Sequence, residues 1–504
     1  MIGLDATDAD FILKLAELGH LPNLARLLEE GQFVRLSSPA NIYAGGVWPT
    51  FYTGQSVPWH GLFHSKLWRP DTMQVEAPTR KWIAANPFWE HFANSAIRVC
   101  VVDAPMVLDA SAPVNGVAIN GWATHDLIHT GSWPPSLWEE LANQHGPPLM
   151  APEKFGLQSE RNLAELAPML IEATRQQCEL ATSLLQEHTW QFGCVVFGAA
   201  HRIGHYLWSD QQYEEHEGPM GSQSEVPPAL IDVYASVDAA FGELVAEIPS
   251  DTTVAAFAVH GMGANAGWSD LFPEILDGIH GQSGDTVPKG LLYRLKRRVP
   301  HHWVRPILAN LPRAVTQWAT KLWSANMYDW QRTQFFPMPM DAVGYVRINL
   351  VGRERLGTVK PEEYDALCDE LAALIGGLVD ADSGEPISQT IHHPYRDAVS
   401  SAPARHLLPD LAVEFDGPPA RACRRLVSTT IPGFEFAVPE KLPSGRSGNH
   451  TKSAWLLVRG PGISPGRATT THSVLDLLPT ILQWLGEPQA PYAEGKPIDF
   501  GRYK

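Results

Sequence analysis

Several features are scarce in this sequence of 504 residues, and each scarcity excludes a class of protein. Only five cysteines occur, they are widely spaced, and none forms a CxxC pair, so we expect a reducing compartment and no disulfide framework. No hydrophobic run approaches the roughly 20 residues that a transmembrane helix needs. The opening residues also lack the pattern of a signal peptide. We therefore expect a cytoplasmic protein that does not enter a membrane.

Positive charge is also scarce, since 38 Lys and Arg residues face 55 Asp and Glu residues and give a net charge of −17. Such a chain lacks the basic face that nucleic-acid phosphates require, so no nucleic-acid partner is expected. A small anionic substrate is not excluded, because a bound metal can set the local charge. The sequence does not determine the oligomeric state. Low-complexity segments are absent, and the composition is that of a folded globular protein.

Strand and helix patterns alternate along most of the chain. Apolar runs typical of buried strands occur at 97–103, 194–197 and 254–259, and helical periodicity occupies 160–188 and 227–248. This order predicts an α/β fold, a three-layer α/β/α sandwich with a mostly parallel sheet. Ligands in such folds bind at the carboxyl ends of the strands.

Residues 270–340 interrupt the alternation. This segment contains several tryptophans and a basic stretch, KGLLYRLKRRVPHHWVRP. We predict a helical insertion or cap over 270–340, and an α/β core formed by residues 1–269 and 341–504. The basic stretch allows two interpretations, a solvated helix or a lid that lies near the site.

Three short histidine-bearing segments lie next to predicted strands. They are HRIGH (201–205), AVHGMG (258–263) and SGNH (447–450). Asp5 ends a further short strand at the start of the chain. His201 and His205 are four residues apart, so on a helix they share one face and can bind one ion. Histidines and an aspartate brought together at strand ends predict a metal site.

The order of these motifs resembles the alkaline phosphatase superfamily, and most closely its type I phosphodiesterase/nucleotide pyrophosphatase branch. Six segments carry the resemblance over nearly the whole chain: IGLDATD with LPNLARLLEEG, VWPTFYTGQSVPWHG, HRIGH, AVHGMG, SGNHTKSAWLLVRGPGI and SVLDLLPTILQWLG. The resemblance implies an alkaline phosphatase-like fold, chemistry on phosphate esters, and two metal ions lying close together.

The resemblance also assigns roles to individual residues. Asp5 matches the first metal-binding aspartate of the family, His205 and His260 match its two motif histidines, and His450 matches its late metal histidine. With His201, these residues form the predicted metal set. Asp5 and His260 are also the predicted catalytic residues.

Three positions depart from the family pattern. Ala44 stands where the family has its Ser or Thr nucleophile, and Val259 stands where it has a metal-binding aspartate. His201 replaces an aspartate ligand, a change that zinc tolerates. The first metal site therefore keeps three histidines and suits zinc, with manganese or iron as alternatives. The second site keeps only Asp5 and His260, so we expect one tight metal and a second, loose one at most.

The segment around Ala44 supplies candidates for substrate binding. Tyr43 and the backbone amides of Gly45 and Gly46 lie at a predicted helix start, where free N–H groups can bind an anion. Asn265, after HGMG, is a further candidate, and its alternative role is to form a turn.

Three functions are compatible with these residues. The first is a metal-dependent hydrolase or transferase that acts on a phosphate ester or a related ester. Water or the acceptor then attacks directly, so no Ser or Thr nucleophile is needed. The second is a single-metal enzyme of a different reaction class on the same scaffold, since fold does not fix function. The third is a non-catalytic homologue that binds a metal or a ligand.

Overall fold

The computed structural model describes residues 1–124, 128–149, 156–208, 227–282, 328–338 and 343–500. Backbone contacts divide the chain into two compact units. The first unit comprises Met1–Ser65, Thr79–Asn265 and Gly445–Lys504, and the second comprises Lys66–Pro78 and Ala266–Ser444.

The described residues form strands and helices along the whole length of the chain. The strands are β1 (Ile2–Leu4), β2 (Gln32–Ser37), β3 (Leu67–Arg69), β4 (Gln74–Glu76), β5 (Val99–Val102), β6 (Gly116–Asn120), β7 (Gly131–Trp133), β8 (Phe192–Phe197), β9 (Val254–Ala258), β10 (Gly261–Ala264), β11 (Phe335–Met338), β12 (Gly344–Ile348), β13 (Leu378–Asp380), β14 (Thr390–His392), β15 (Leu411–Glu414), β16 (Arg425–Ser428), β17 (Glu435–Ala437), β18 (Gly448–Thr451), β19 (Ser453–Arg459), β20 (Gly466–Arg467) and β21 (His472–Ser473). The α-helices are α1 (Ala9–Glu17), α2 (Pro22–Glu30), α3 (Ala40–Tyr43), α4 (Val47–Thr53), α5 (Val57–His60), α6 (Leu137–His145), α7 (Glu160–Glu187), α8 (Ala199–Leu207), α9 (Pro228–Glu247), α10 (Trp268–Gln282), α11 (Tyr364–Gly376), α12 (Pro394–Asp397) and α13 (Leu477–Trp484).

The first unit is built on one large mixed sheet, which has ten strands over the described residues. Its strand order is β20-β2-β19-β9-β1-β8-β5-β6-β7, and β21 pairs with β2. The neighbours from β9 to β6 are all parallel, whereas β19 and β7 run antiparallel to the strands beside them. Parallel neighbours need long crossover connections, and helices such as α7 and α9 supply them. The predicted α/β fold with a mostly parallel sheet is confirmed.

Helices cover both faces of this sheet. Successive residues of a strand point to opposite sides, so each layer of helices packs against a different set of strand side chains. On β9, Ala256 and Ala258 join a core cluster that includes residues of α2, α7 and α9. Phe257, between them, instead packs against Trp48 of α4, with ring centroids 5.7 Å apart. A layer of helices on each side of the sheet gives the predicted three-layer arrangement.

Local sequence signals explain the helix boundaries in this unit. The helix predicted at 160–188 is α7, and the side chain of its N-cap Ser159 accepts a hydrogen bond from the Asn162 N–H group. The helix predicted at 227–248 is α9, which begins at Pro228, a residue that the first helical turn tolerates well. Gly31 follows the last residue of α2. Capping residues and periodicity are local features, so the sequence alone was sufficient to locate these elements.

The second unit has its own antiparallel sheets and its own core. Its sheets have the orders β11-β12-β15-β14, β13-β16-β17 and β3-β4. Buried apolar residues of α10, α11 and the strands β11, β12, β13, β15 and β16 form one cluster. Residues 343–444, which the sequence interpretation grouped with the α/β core, belong with α10 to the second unit, because their strands pair with one another and with β11 and not with the large sheet.

The predicted cap at 270–340 falls mostly on residues 283–327 and 339–340, which lie outside the described residues, so it remains a prediction. Within the part of the chain that the structure describes, no helix is both long enough and apolar enough to cross a membrane. All five cysteines are free and buried.

Candidate metal centre

Three adjacent strands bring the predicted site residues to one edge of the large sheet. β1 lies between β9 and β8; Asp5 follows β1 directly, and His260 is the second residue after β9. α8 begins two residues after β8 and carries His201 and His205. Because the carboxyl ends of parallel strands meet at the same edge, these four side chains converge.

A strained turn aims Asp5 into the site. The N–H group of Asp5 donates to the Phe197 carbonyl oxygen at 3.0 Å and so extends the pairing of β1 with β8. Ala6 then adopts a φ of +56°, a left-handed conformation that is uncommon for a residue other than glycine. Thr7 closes the turn by donating from its hydroxyl group to the Leu4 carbonyl oxygen at 2.8 Å. Backbone strain of this kind is often found at functional sites.

His450 reaches the centre on β18, which pairs antiparallel with β10. α8 approaches β18 so closely that a Cβ atom on Gly448 would lie 2.1 Å from the Gly204 carbonyl oxygen. The N–H group of Ser447 also donates to the His205 carbonyl oxygen at 2.7 Å. Only glycine permits this approach at position 448. The close packing places the His450 imidazole against the two histidines of α8.

The Nε2 atoms of three histidines meet in this centre. The Nε2 atom of His201 lies 3.1 Å from that of His205 and 2.8 Å from that of His450. Two nitrogens that bind one tetrahedral zinc ion at about 2.0–2.1 Å are roughly 3.3 Å apart. The observed separations are close to this value. His201 and His205 are fully buried, whereas His450 is partly exposed.

The Nδ1 hydrogen bonds of His201 and His205 are of the kind that metal-binding histidines make. His201 Nδ1 lies 2.6 Å from Asp5 Oδ2, and His205 Nδ1 lies 3.1 Å from the Gly448 carbonyl oxygen. Both partners are acceptors, so each Nδ1 atom donates its proton outward, and each Nε2 atom faces the inside of the centre. A proton on His201 Nε2 could be donated to the Nε2 atom of either His205 or His450, but not to both. A metal ion could bind all three nitrogens at once. Metal-binding histidines characteristically make such outward hydrogen bonds.

Asp5 is an ionised carboxylate at the bottom of the centre. Its Oδ2 atom accepts from His201, and its Oδ1 atom accepts from the Trp48 Nε1–H group at 2.7 Å. Burial acts to raise the pKa of Asp5, but attraction to His201, its hydrogen bond, and smaller contributions from His260 and Trp48 outweigh burial and lower the pKa. The negative charge is therefore retained in a position that is inaccessible to solvent.

His260 lies beside the triad. Its ring stacks on that of His450, with centroids 4.8 Å apart and an interplanar angle of 23°. Its Nε2 atom is 3.8 Å from Asp5 Oδ1. The structure therefore brings all five predicted metal candidates together, in two overlapping groups: His201, His205 and His450, and Asp5, His201 and His260.

The predicted nucleophile position contains no hydroxyl group. Ala44 is buried in a 3-10 turn between α3 and α4, and α3 contacts the strand that carries His450. Thr50 on α4 is 1% exposed, and its Oγ1 atom lies 3.2 Å from His60 Nε2. His60 Nδ1 accepts from the Leu62 N–H group, so the ring supports the loop after α5.

Close packing accounts for the two glycines next to Ala44. A Cβ atom on Gly45 would lie 2.7 Å from the Phe63 carbonyl oxygen, and one on Gly46 would lie 2.8 Å from Val57 Cγ2. The Tyr43 ring packs against the Phe63 ring, with centroids 5.7 Å apart. Substrate binding by Tyr43, Gly45 and Gly46 stays a prediction.

Asn265 holds the loop that precedes His450. Its side-chain amide donates to the Arg446 carbonyl oxygen at 3.1 Å, and its Oδ1 atom accepts from Asn449 at 3.4 Å. Its backbone N–H group donates to the Ser447 carbonyl oxygen. These contacts position the loop, and the predicted contact of Asn265 with substrate remains untested.

Sequence reasoning missed two residues that shape the site. One is Trp48, whose indole N–H group donates to Asp5 Oδ1 at 2.7 Å. Gly3 makes room for that ring, because a Cβ atom at position 3 would lie 2.9 Å from Trp48 Cη2. Gly3 and Asp5 are two residues apart and share one side of the extended chain. A glycine two positions before the aspartate was the available signal.

Comparison with known proteins identifies the family. The sequence profile described as "Type I phosphodiesterase / nucleotide pyrophosphatase" matches residues 1–416. No curated protein matches the chain.

Solved structures that align with this chain include murine ectonucleotide pyrophosphatase/phosphodiesterase 5, inactive and in complex with AMP. The alignment has 12% identity, covers 98% of this chain and 96% of that chain, and has a TM-score of 0.49. The human ectonucleotide pyrophosphatase/phosphodiesterase 5 has 12% identity over 97% and 95%, with a TM-score of 0.49. Phosphonoacetate hydrolase from Sinorhizobium meliloti 1021, in complex with phosphonoacetate, has 13% identity over 96% and 94%, with a TM-score of 0.48. The family assignment rests on the profile, which spans most of the sequence. The chain belongs to the type I phosphodiesterase/nucleotide pyrophosphatase family of the alkaline phosphatase superfamily.

Proposed function

We propose that the protein is a metal-dependent hydrolase or transferase that acts on a phosphate ester or a related ester. Membership of the family supports phosphoester chemistry. The observation that carries the metal dependence is the convergence of three histidine Nε2 atoms, together with the outward hydrogen bonds that two of these rings, His201 and His205, make through Nδ1.

His201, His205 and His450 would hold the metal. Three imidazole nitrogens suit zinc, with manganese and iron as alternatives. When bound, such an ion polarises an ester oxygen and lowers the pKa of water. Since His450 is the partly exposed member of the triad, we infer that a small anionic substrate approaches from its side.

His260 is the candidate for proton transfer. Its ring lies against His450, and its Nε2 atom is 3.8 Å from the ionised Asp5 carboxylate. A carboxylate near a histidine favours the protonated ring, so Asp5 would help His260 to hold a proton until the leaving group needs it. Both side chains are almost completely buried, which excludes competing water from the contact.

Ala44 implies attack without a covalent intermediate on the chain. No hydroxyl is present at this position, and Thr50 is buried against His60. The nucleophile is therefore water or the acceptor itself. Tyr43, the amides of Gly45 and Gly46, and Asn265 remain the candidates for binding the anionic group of the substrate.

We also propose that the protein works in the cytoplasm. Its five cysteines are all free and buried, which agrees with a reducing compartment.

Activity assays with a defined substrate panel test the proposed function. Protein stripped with a chelator and then loaded with zinc, manganese or iron(II) would be given a phosphodiester, a phosphomonoester and a sulfate ester. We expect turnover of a phosphate ester that depends on added metal and is lost in His205→Ala. His20→Ala is the control, because His20 is exposed and lies outside the centre.

Two results would contradict the proposal. A metal-loaded protein that turns over none of the esters would favour a different reaction class or a non-catalytic role. Equal turnover by His205→Ala and the wild-type chain would show that the triad is not the reactive centre.

A further inference from the structure

We infer that the centre holds one metal ion, and that Asp5 is a positioning residue for His201 and not a metal ligand. This inference rests on the proposed function. It assigns the metal of that function to His201, His205 and His450, three of the five candidate ligands. It differs from the pair of ions that the family resemblance implies.

Both oxygens of Asp5 face donors that belong to the protein. Oδ2 lies 2.6 Å from His201 Nδ1, and Oδ1 lies 2.7 Å from Trp48 Nε1. An indole N–H group can only donate, so Oδ1 must accept this hydrogen bond. The Asp5 side chain is fully buried, and these two donors fix its orientation.

The Trp48 donor is held in place by its own packing. Its ring lies over Gly3, where a Cβ atom would come within 2.9 Å of Cη2, and against the Phe257 ring at 5.7 Å. Trp48 is 1% exposed. The indole therefore cannot swing away from Asp5 without disturbing the core beneath the sheet.

Among the described residues, the second metal group has too few ligands of its own. His201 belongs to both groups, but its Nδ1 proton is donated to Asp5 while its Nε2 atom faces His205 and His450. Asp5 and His260 then remain, and Oδ1 is 3.8 Å from Nε2. Val259 beside His260 is buried and apolar, so it offers no ligand atom. Catalytic zinc sites normally have three protein ligands.

Asp5 instead completes a carboxylate–histidine–metal arrangement. The carboxylate fixes the tautomer and the ring orientation of His201 and increases the basicity of its Nε2 atom. Loss of such an outer partner typically weakens metal binding by about 10–100-fold and leaves the ligands in place.

Zinc titration of the full chain after chelator treatment tests the inference. We expect one equivalent per wild-type chain. Asp5→Asn and Asp5→Ala should still bind one equivalent, with the dissociation constant raised by about 10–100-fold. Asp8→Asn is the matched control: Asp8 caps α1 through Asp10 and Phe11, asparagine caps equally well, and the affinity should stay unchanged.

Two spectroscopic measurements separate positioning from a general structural effect. The visible bands of the cobalt(II) form should keep their energy and intensity in Asp5→Asn, because the three nitrogen ligands are the same. Proton NMR of the zinc form should show a strongly downfield imidazole N–H signal for His201, which is present in Asp8→Asn and lost in Asp5→Ala.

Two equivalents of zinc in the wild-type chain, with one lost in Asp5→Ala, would overturn the inference and leave the proposed function standing. A cobalt spectrum that changes in Asp5→Asn would also overturn it. No zinc binding by the wild-type chain would overturn the proposed metal dependence itself, and the inference with it. Circular dichroism verifies that each variant is folded. If Asp5→Ala does not fold, the inference is tested with Asp5→Asn alone.

Discussion

The Nδ1 atom of His205 lies 3.1 Å from the carbonyl oxygen of Gly448, although the two residues are 243 positions apart in the sequence. This hydrogen bond fixes the His205 tautomer and turns its Nε2 lone pair toward His201. It forms only because position 448 has no side chain to hold α8 away from β18. One glycine therefore decides both how closely the two elements pack and how a ligand is presented.

Replacing Gly448 by alanine should damage stability and metal binding together. The added Cβ atom would lie 2.1 Å from a backbone oxygen, and overpacking of this kind typically costs about 1–3 kcal/mol. Denaturant unfolding and zinc titration measure the two effects. In the control Gly376→Ala the nearest atom would be 4.0 Å away, so we expect no loss. Equal behaviour of the two variants would contradict this account.

Replacing His450 by alanine should remove the metal without unfolding the protein, since His450 is the partly exposed ligand. Zinc at 100 times its dissociation constant should stabilise the wild-type chain by about 2.7 kcal/mol, and this gain should disappear in the variant. Thermal unfolding with and without zinc tests this, with His20→Ala as control. If neither zinc nor manganese shifts the wild-type melting temperature, the metal centre is wrongly assigned.

No covalent phospho-enzyme should form on residues 43–50 of the wild-type chain. Ala44 has no hydroxyl, and Thr50 is buried against His60. Intact mass after incubation with an activated phosphodiester measures this directly. Ala44→Ser, treated in parallel, shows whether a hydroxyl at this position is reached by the reagent. A stable adduct on Thr50 would mean that the nucleophile position has been misplaced.

Acid should destabilise the protein partly through His60. Burial lowers the pKa of His60 from its usual 6.5 to about 3. Between these pH values the unfolded chain binds a proton that the folded chain does not, so stability falls as the pH decreases through this window. His60→Asn removes the titrating ring, while its side-chain oxygen can still accept from Leu62. Melting temperatures of the variant should depend less steeply on pH, and identical slopes would exclude this role.

The basic stretch of the predicted cap should steer an anionic substrate. Arg294, Lys296, Arg297 and Arg298 lie outside the described residues, so this prediction rests on the sequence. Reversing their charges should raise KM about tenfold or more at low ionic strength, with the difference shrinking as salt screens the field. Arg161→Glu, at an exposed position of α7, is the control. Unchanged kinetics at low salt would favour the solvated helix.

The sequence by itself determined the elements and the ligand candidates. Periodicity and capping residues are local, so α7, α9 and the buried strands could be located without a structure. The HRIGH spacing placed His201 and His205 on one helical face, and the order of motifs indicated the family.

Only the tertiary structure decided how those residues act. The hydrogen bonds of Asp5 to Trp48 and His201 join segments 43 and 196 positions apart, and no local pattern encodes them. The packing of residues 343–444 into a separate unit likewise depends on which strands pair, a choice that periodicity leaves open. Ligand identity can be predicted from residue type and spacing, whereas tautomer, orientation and the number of metal ions depend on contacts that only folding creates.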